Sequence, residues 1–545
     1  MRATYSRLLL SSISSVPFIL AAAQASAASC EDLKNLKLKD TTITAAQTYA
    51  PGGYTPTYPA WRRGAGQPAV TVGFCRVAGS IKPTSDSDIK FELWLPLPDK
   101  WTGRYESVGN GGFAGTIRYD SMRRPLLGGT AVASTDDGHD TPGAEFALNA
   151  EKLADYAYRA VHVTAETSKA ITTAYYGAKP KHSYFVGCSK GGQEGLMSAT
   201  RYPADFDGII SLAAANYFTQ LFTEFAWNQS LMFASEKSYL SREDLVKISG
   251  AVLEACDAQD GVKDGLISNP QKCRVKRESI PLPPEKVDTY VHMIEGPKTS
   301  DGKEFLPGYA VGSEIGSTSG WLSDNIGTGF DQARAGATQS NFARGFFANF
   351  VYKDPKWDFA NFNLDKGGAD AAKAVGKIIN VETTDLSAFK ARGGKLIQFS
   401  GWGDIEVNTK AGIRYYERVV AGPSAKGDVG EIVTDPGSAA LKAVQEYYRY
   451  FVGAGVSHCR GGNGPNEFGQ QGGDGPAESD LVSSLYQWVE KGAAPTQVIA
   501  TKFTDNNPAN PVQMTRPICM YPMVPKYKGQ GSPDQAANFV CAANN

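Results

Sequence analysis

Along residues 88–97 (DIKFELWLPL) apolar and polar positions alternate, the period of a half-buried strand. Residues 130–135 (TAVAST) suit a short buried strand, and residues 155–176 (DYAYRAVHVTAETSKAITTAYY) predict a long helix. Residues 182–187 (HSYFVG) predict another strand, followed by a glycine-rich turn and a helix from Gly192 to about Arg201. Residues 208–214 (GIISLAA) predict the next strand. The same grammar resumes near Leu386, with a strand at 395–400 (KLIQFS), a helix at 409–420 and a strand at 447–452. An amphipathic last helix is expected at 481–491 (LVSSLYQWVEK). Strands alternating with helices imply a mostly parallel sheet and the α/β class. Residues 217–385 differ: they are rich in Gly, Asn, Phe and Trp, have weak periodicity, and are expected to be an inserted lid. The layout predicted is a leader at 1–27, a first core part at 28–216, the lid at 217–385 and a second core part at 386–545.

Length fits this layout, since 545 residues exceed one hydrophobic core of about 250–300 and leave room for an insertion. The formal net charge of −1 supplies no field to attract nucleic acid or an anionic membrane, so neither is an expected partner. Arg2 and Arg7 precede an apolar run at 8–23, and Ala25-Ser26-Ala27 makes a small-residue cleavage site. This is the pattern of a secretory signal, which predicts a secreted or periplasmic protein. The eight cysteines form no CxxC pair, which favours disulfides in an oxidising compartment over zinc. Spacing leaves the connectivity open, although Cys256 with Cys273, and Cys519 with Cys541, are near enough for local loops.

The chemistry begins at Gly187-Cys188-Ser189-Lys190-Gly191, a G-x-S-x-G match between a predicted strand and a predicted helix. In that setting Ser189 would sit on a strained turn, with the helix N-terminus offering N–H groups to an oxyanion. A serine nucleophile needs a base. The five histidines are His139, His162, His182, His292 and His458. His162 and His182 fall within predicted elements, while His139 follows a strand and could line the site. The order Ser, acid, His leaves His292 and His458, and only His458 lies in the second core block. The acid should follow the strand at 395–400, which makes Asp404 the first candidate and Glu406 its rival. Cys188 precedes Ser189 and Cys459 follows His458, so a Cys188–Cys459 bridge would pin the base to the nucleophile turn. Finally, residues 256–266 (CDAQDGVKDGL) place three carboxylates on a glycine-broken loop, which by spacing alone is either a calcium site or a solvated acidic turn.

Together with residues 134–139 (STDDGH), 201–208 (RYPADFDG), 401–404 (GWGD) and a tail at 516–541, these motifs make the chain resemble the tannase and feruloyl esterase family. The resemblance spans nearly the whole mature chain, and the cysteines flanking Ser189 and His458 are peculiar to that family. It implies an α/β-hydrolase fold with a large lid, and a serine esterase acting on small aromatic esters of phenolic acids. Ferulate esters come first, with gallate esters or terephthalate half-esters as alternatives. A non-catalytic binding protein of the same fold would usually lack one of the three site residues, which are all present here. The resemblance also implies an oxyanion held by the backbone N–H groups of Lys190 and Gly112, and bridges Cys30–Cys75, Cys188–Cys459, Cys256–Cys273 and Cys519–Cys541. It implies a structural calcium held by Asp257, Asp260, Asp264 and the carbonyls of Val262 and Leu266, with no organic cofactor. Relatives acting on terephthalate half-esters use a lid arginine for the free carboxylate. Residues 332–346 align Ala337 there, with Arg334 and Arg344 nearby but unmatched, which favours hydroxycinnamate esters. Lys190 replaces an acidic residue found in that relative. Phe342, Phe346, Phe347 and Trp321 are expected either to wall the substrate site or to bury the lid's own core.

Overall fold

The computed structural model describes residues 1, 28–60, 67–312, 314–315, 320–327, 329–330, 336–423, 436–470 and 472–543. The expected secretory signal, apart from Met1, and Arg334 lie outside these residues. Thr41–Tyr49 (β1), Phe74–Ile81 (β2), Ile89–Pro96 (β3), Arg104–Val108 (β4), Ala131–Thr135 (β5), His182–Cys188 (β6), Gly208–Leu212 (β7), Lys395–Gly401 (β8) and Tyr448–Gly453 (β9) form one sheet. Their order is β1-β2-β3-β5-β4-β6-β7-β8-β9. Pairing is antiparallel from β1 through β3 to β5 and parallel across β5, β4 and β6 to β9. This is the expected α/β-hydrolase fold.

Side chains alternate between two cores on opposite faces of the sheet, as the two-residue period of strands requires. Tyr184, Ile210, Ile397 and Phe399 join one core with Leu485 and Trp488 of the helix Leu481–Lys491. Phe185, Ile209 and Leu396 join the other with Leu196 and Tyr415, from the helices Lys190–Arg201 and Thr409–Ala421. The parallel strand β7 is buried at all five positions, which is why it reads as an uninterrupted apolar run. The long helix expected over 155–176 divides into a π-helical turn, Asp155–Arg159, and an α-helix, Ala160–Tyr176.

Between β7 and β8 the chain leaves the sheet and returns. This insertion is more regular than its sequence predicts, for it contains the helices Phe218–Met232, Arg242–Cys256, Pro284–Glu295 and Thr338–Phe346. The reason is burial. Phe218–Met232 is covered on most of its circumference, including Thr219, Thr223, Glu224, Asn228 and Gln229, so it shows no apolar stripe. All four expected disulfides are formed: Cys30–Cys75, Cys188–Cys459, Cys256–Cys273 and Cys519–Cys541. Among the described residues no helix is long and apolar enough to cross a membrane.

Candidate active site

Ser189 stands between β6 and the helix Lys190–Arg201 with φ 66° and ψ −117°. A non-glycine residue with positive φ is strained and persists only where its surroundings hold it. Three backbone hydrogen bonds do so: Ser189 N–H donates to Leu212 O (2.9 Å), and Ser189 O accepts from Gln193 N (3.0 Å) and Ala215 N (3.1 Å). Gly191 is needed beside it, because a Cβ there would meet Asn110 O at 2.7 Å. The helix begins at Lys190, whose backbone N–H has no residue one turn earlier to bond.

His458 follows β9 and Asp404 follows β8. The two loops are laced by bonds from Trp402 N to Gly453 O and from Gly403 N to Val456 O, both 2.8 Å. His458 Nδ1 lies 2.9 Å from Asp404 Oδ2. The other oxygen, Asp404 Oδ1, accepts from Glu406 N (2.9 Å) and Val407 N (2.8 Å), which fixes the carboxylate. Glu406, the rival acid in the sequence, instead approaches the opposite ring nitrogen, Nε2, at 3.5 Å. That same nitrogen is 4.0 Å from Cys188 Sγ, so this edge of the ring faces the nucleophile turn. The Cys188–Cys459 bridge, with its Cα atoms 6.2 Å apart, ties the two loops together. Burial pushes the His458 pKa down, but Asp404, Glu406 and Asp324 outweigh it and raise it to about 10. Burial, reinforced by Asp324 and Asp404, raises Glu406 to about 7.

Ser189, His458, Glu406 and residues 109–112 line one cavity of about 410 Å³. Phe342 closes part of it: a Cβ on Gly112 would lie 3.2 Å from the Phe342 ring. Phe346, Phe347 and Trp321 are instead buried in the core, so of the four aromatics Phe342 alone serves as wall. Ala337 is buried at the start of the helix Thr338–Phe346, while Arg344 pairs with Asp358 (3.5 Å) and covers the Phe359 ring outside the cavity lining.

The Lys190 side chain turns away from the cavity. It is buried against Glu194 (2.8 Å) and lies 4.5 Å from the centre of the Tyr156 ring. Glu194 Oε2 accepts from Asn110 N (3.0 Å), and Tyr156 OH donates to Gly112 O (2.7 Å). A buried ion pair and a tyrosine from the π-helical turn thus grip both ends of the loop carrying Gly112. Burial and the Glu194 charge hold the neighbouring Asp137 carboxyl well above the usual range. Glu194 and Tyr156 carry no motif of their own; only tertiary packing reveals them. His139 stacks on Phe146 with centroids 4.0 Å apart, and His162 Nδ1 pairs with Asp205 (2.8 Å). His182 opens β6, and His292 lies in the helix Pro284–Glu295. Neither these two nor His139 and His162 line the cavity.

The acidic loop begins where Cys256–Cys273 clamps the chain. Asp257 Oδ1 accepts from Asp264 N (3.2 Å) and Gly265 N (3.0 Å), Asp260 Oδ2 accepts from Ser268 Oγ (2.6 Å), and Asp264 pairs with Arg516. The three carboxylates do not all lie within 4.8 Å of one another. Burial raises both Asp260 and Asp264, and each also feels a neighbouring carboxylate of the loop.

A family model described as tannase and feruloyl esterase matches residues 75–542. An uncharacterized esterase of Xanthomonas campestris is 34% identical, covering 98% of this chain and 94% of its own. A probable feruloyl esterase B of Aspergillus clavatus is 31% identical, covering 89% and 90%. The crystal structure of feruloyl esterase B from Aspergillus oryzae superposes with a TM-score of 0.82 at 26% identity, over 94% of this chain and all (100%) of that one. Tannin acyl hydrolase from Aspergillus niger shares the fold, with a TM-score of 0.71 at 21% identity over 93% and 92%.

Proposed function

Because the chain belongs to the tannase and feruloyl esterase family, whose chemistry is carboxylic ester hydrolysis, we propose that it cleaves esters of hydroxycinnamic acids such as ferulate through Ser189. The observation that carries this reading is the 2.9 Å contact between His458 Nδ1 and Asp404, in a cavity that Ser189 and His458 share. Neutral His458 takes the Ser189 proton on Nε2 as Oγ attacks the ester carbonyl. Asp404 fixes the tautomer and stabilises the imidazolium that results. The oxyanion is held by the N–H groups of Lys190 and Gly112. The carbon–oxygen bond to the alcohol then breaks, and the leaving alkoxide takes the proton from His458. Water, deprotonated by the same nitrogen, releases the acid and restores Ser189. Phe342 supplies a flat apolar wall for the aromatic acyl group. The insertion that bears it serves as the lid.

Four disulfides support an oxidising destination, consistent with secretion or the periplasm. The acidic loop is proposed to hold a structural calcium through Asp257, Asp260, Asp264 and the carbonyls of Val262 and Leu266. Its donors are hard oxygens, and three carboxylates on one short loop, of which Asp264 pairs with Arg516, favour a divalent cation. Binding would draw the carboxylates closer together than they stand here.

Substrate class is tested by comparing kcat/KM on methyl ferulate, methyl gallate and a p-nitrophenyl alkanoate. The reading predicts the highest value on methyl ferulate. A higher value on either other ester would overturn the assignment to hydroxycinnamates.

A further inference from the structure

Ester cleavage uses Ser189, His458 and backbone amides, yet the same cavity is lined by three guanidinium groups that this chemistry leaves idle: Arg118, Arg124 and Arg460. Arg118 is the best placed. Its side chain is only 22% exposed, and its nearest ion partner, Asp120, is 3.6 Å away. Arg118 Nε is buried and has no hydrogen-bond partner among the described residues. Arg118 N donates to Ser134 Oγ (2.9 Å), which anchors the residue at the start of the helix Tyr119–Leu127. Its guanidinium lies against the oxyanion loop: a Cβ on Gly111 would stand 3.1 Å from Arg118 Nη1, one residue from Gly112. Arg124 is half-exposed, with Asp474 at 3.9 Å, and Arg460 is exposed beside Cys459.

Three carboxyl groups also line the cavity, but burial weakens their charge. It raises Glu106, which accepts from Tyr486 OH at 2.7 Å, to about 8, and Glu406 to about 7, and it raises Glu467 as well. Guanidinium groups keep their charge throughout the accessible pH range. Near neutral pH the lining is therefore cationic on balance, although the chain as a whole carries −1. A cationic cavity lined by guanidinium groups suits an anionic group that can accept a planar, forked pair of hydrogen bonds.

We propose that Arg118, supported by Arg124 and Arg460, forms a carboxylate subsite, so that the esters this enzyme prefers carry a second, ionised carboxylate. The inference rests on the esterase reading above and adds to it the charge of the substrate. The carboxylate can sit in either half of the ester. In the acyl half, the substrate is a half-ester of an aromatic dicarboxylic acid. In the alcohol half, it is a hydroxycinnamate ester of a hydroxy acid.

The test compares each of these two esters with its own carboxamide analogue, in which the free carboxylate becomes a neutral amide of similar shape. The wild-type enzyme is expected to show at least about a tenfold higher kcat/KM on one of the acids than on its amide. Which pair shows it identifies the half that carries the charge. Added salt should narrow the ratio, and Arg118→Gln should reduce it about tenfold or more. Acid-to-amide ratios near one for both pairs would overturn the subsite. So would an Arg118→Gln enzyme that keeps the wild-type ratio. Failure to cleave methyl ferulate or any of the four esters would instead refute the esterase reading, and the two failures are thereby distinguished.

Discussion

His458 is held between carboxylates on both edges of its ring, Asp404 at Nδ1 (2.9 Å) and Glu406 at Nε2 (3.5 Å). Burial opposes the charged ring, yet Asp404, Glu406 and Asp324 together raise it to about 10. In the proposed mechanism only neutral imidazole accepts the Ser189 proton, so the base becomes available as pH rises through that value. Turnover should therefore climb along an alkaline limb. Glu406→Gln removes the charge nearest Nε2 and should move the limb about one unit toward lower pH. A pH–kcat/KM profile whose limb stays in place in the variant would show that Glu406 does not tune the base. Asp404→Asn should lower kcat about a thousandfold or more, since it permits the wrong tautomer. At this scale much was legible in the sequence. The G-x-S-x-G turn and the chain order of acid and histidine single out residues by local context. The course of the Lys190 side chain was not legible: its neighbour Ser189 lines the cavity while its own charge turns inward to Glu194 (2.8 Å). Whether a helix-start lysine faces ligand or core depends on what packs there, and no local pattern records it.

Among the elements, the loop at 109–112 meets the helix Lys190–Arg201 through the Glu194–Asn110 bond and the π-helical turn Asp155–Arg159 through the Tyr156–Gly112 bond. Tyr156→Phe deletes one hydroxyl while keeping the ring beside Lys190. It should cost about 1 kcal/mol of stability and lower kcat about tenfold with little change in KM, because an oxyanion donor acts in the transition state. A variant with unchanged kcat would reduce Tyr156 to a packing residue. The Cys188–Cys459 bridge acts between elements too. It closes a loop with a sequence separation of 271, worth about 5–6 kcal/mol on chain-entropy grounds. The double replacement Cys188→Ala/Cys459→Ala should lower kcat strongly even below its melting temperature, since about 1 Å of displacement at a base can cost a hundredfold. Wild-type kcat in the folded double variant would reduce the bridge to a stability device. The elements themselves were only partly legible. Strands β3 and β5 to β9 follow apolar runs or alternation, and the helix Leu481–Lys491 lies where its stripe predicts it. Strand β4 (RYESV) was not legible, because its buried Glu106 and Ser107 bond to Tyr486 (2.7 Å) and Tyr105 (2.7 Å), and the decisive partner, Tyr486, is remote in sequence.

For the whole molecule, the fold class was evident from strand–helix alternation. The internal order of the insertion was not, because its central helix is buried nearly all round. The acidic loop and the tail meet through Asp264 and Arg516, which links the insertion to the strand Val512–Cys519. If calcium completes that junction, chelation should lower the melting temperature by several degrees, and restoring calcium should reverse the loss, with the gain growing as the logarithm of its concentration above Kd. Purified protein without bound calcium, and with a melting temperature indifferent to chelator, would leave the loop an acidic turn. Such a result would leave the esterase chemistry intact, because the cavity at Ser189 is lined by none of these aspartates.

The central claim is that Ser189 is the nucleophile, and the most direct measurement is covalent capture by a fluorophosphonate followed by peptide mapping. The account predicts one phosphonyl adduct per chain, located on Ser189, with ester hydrolysis lost in step with labelling. Stoichiometric labelling at another residue that tracks the loss of activity would contradict it, as would full hydrolysis by a Ser189→Ala enzyme.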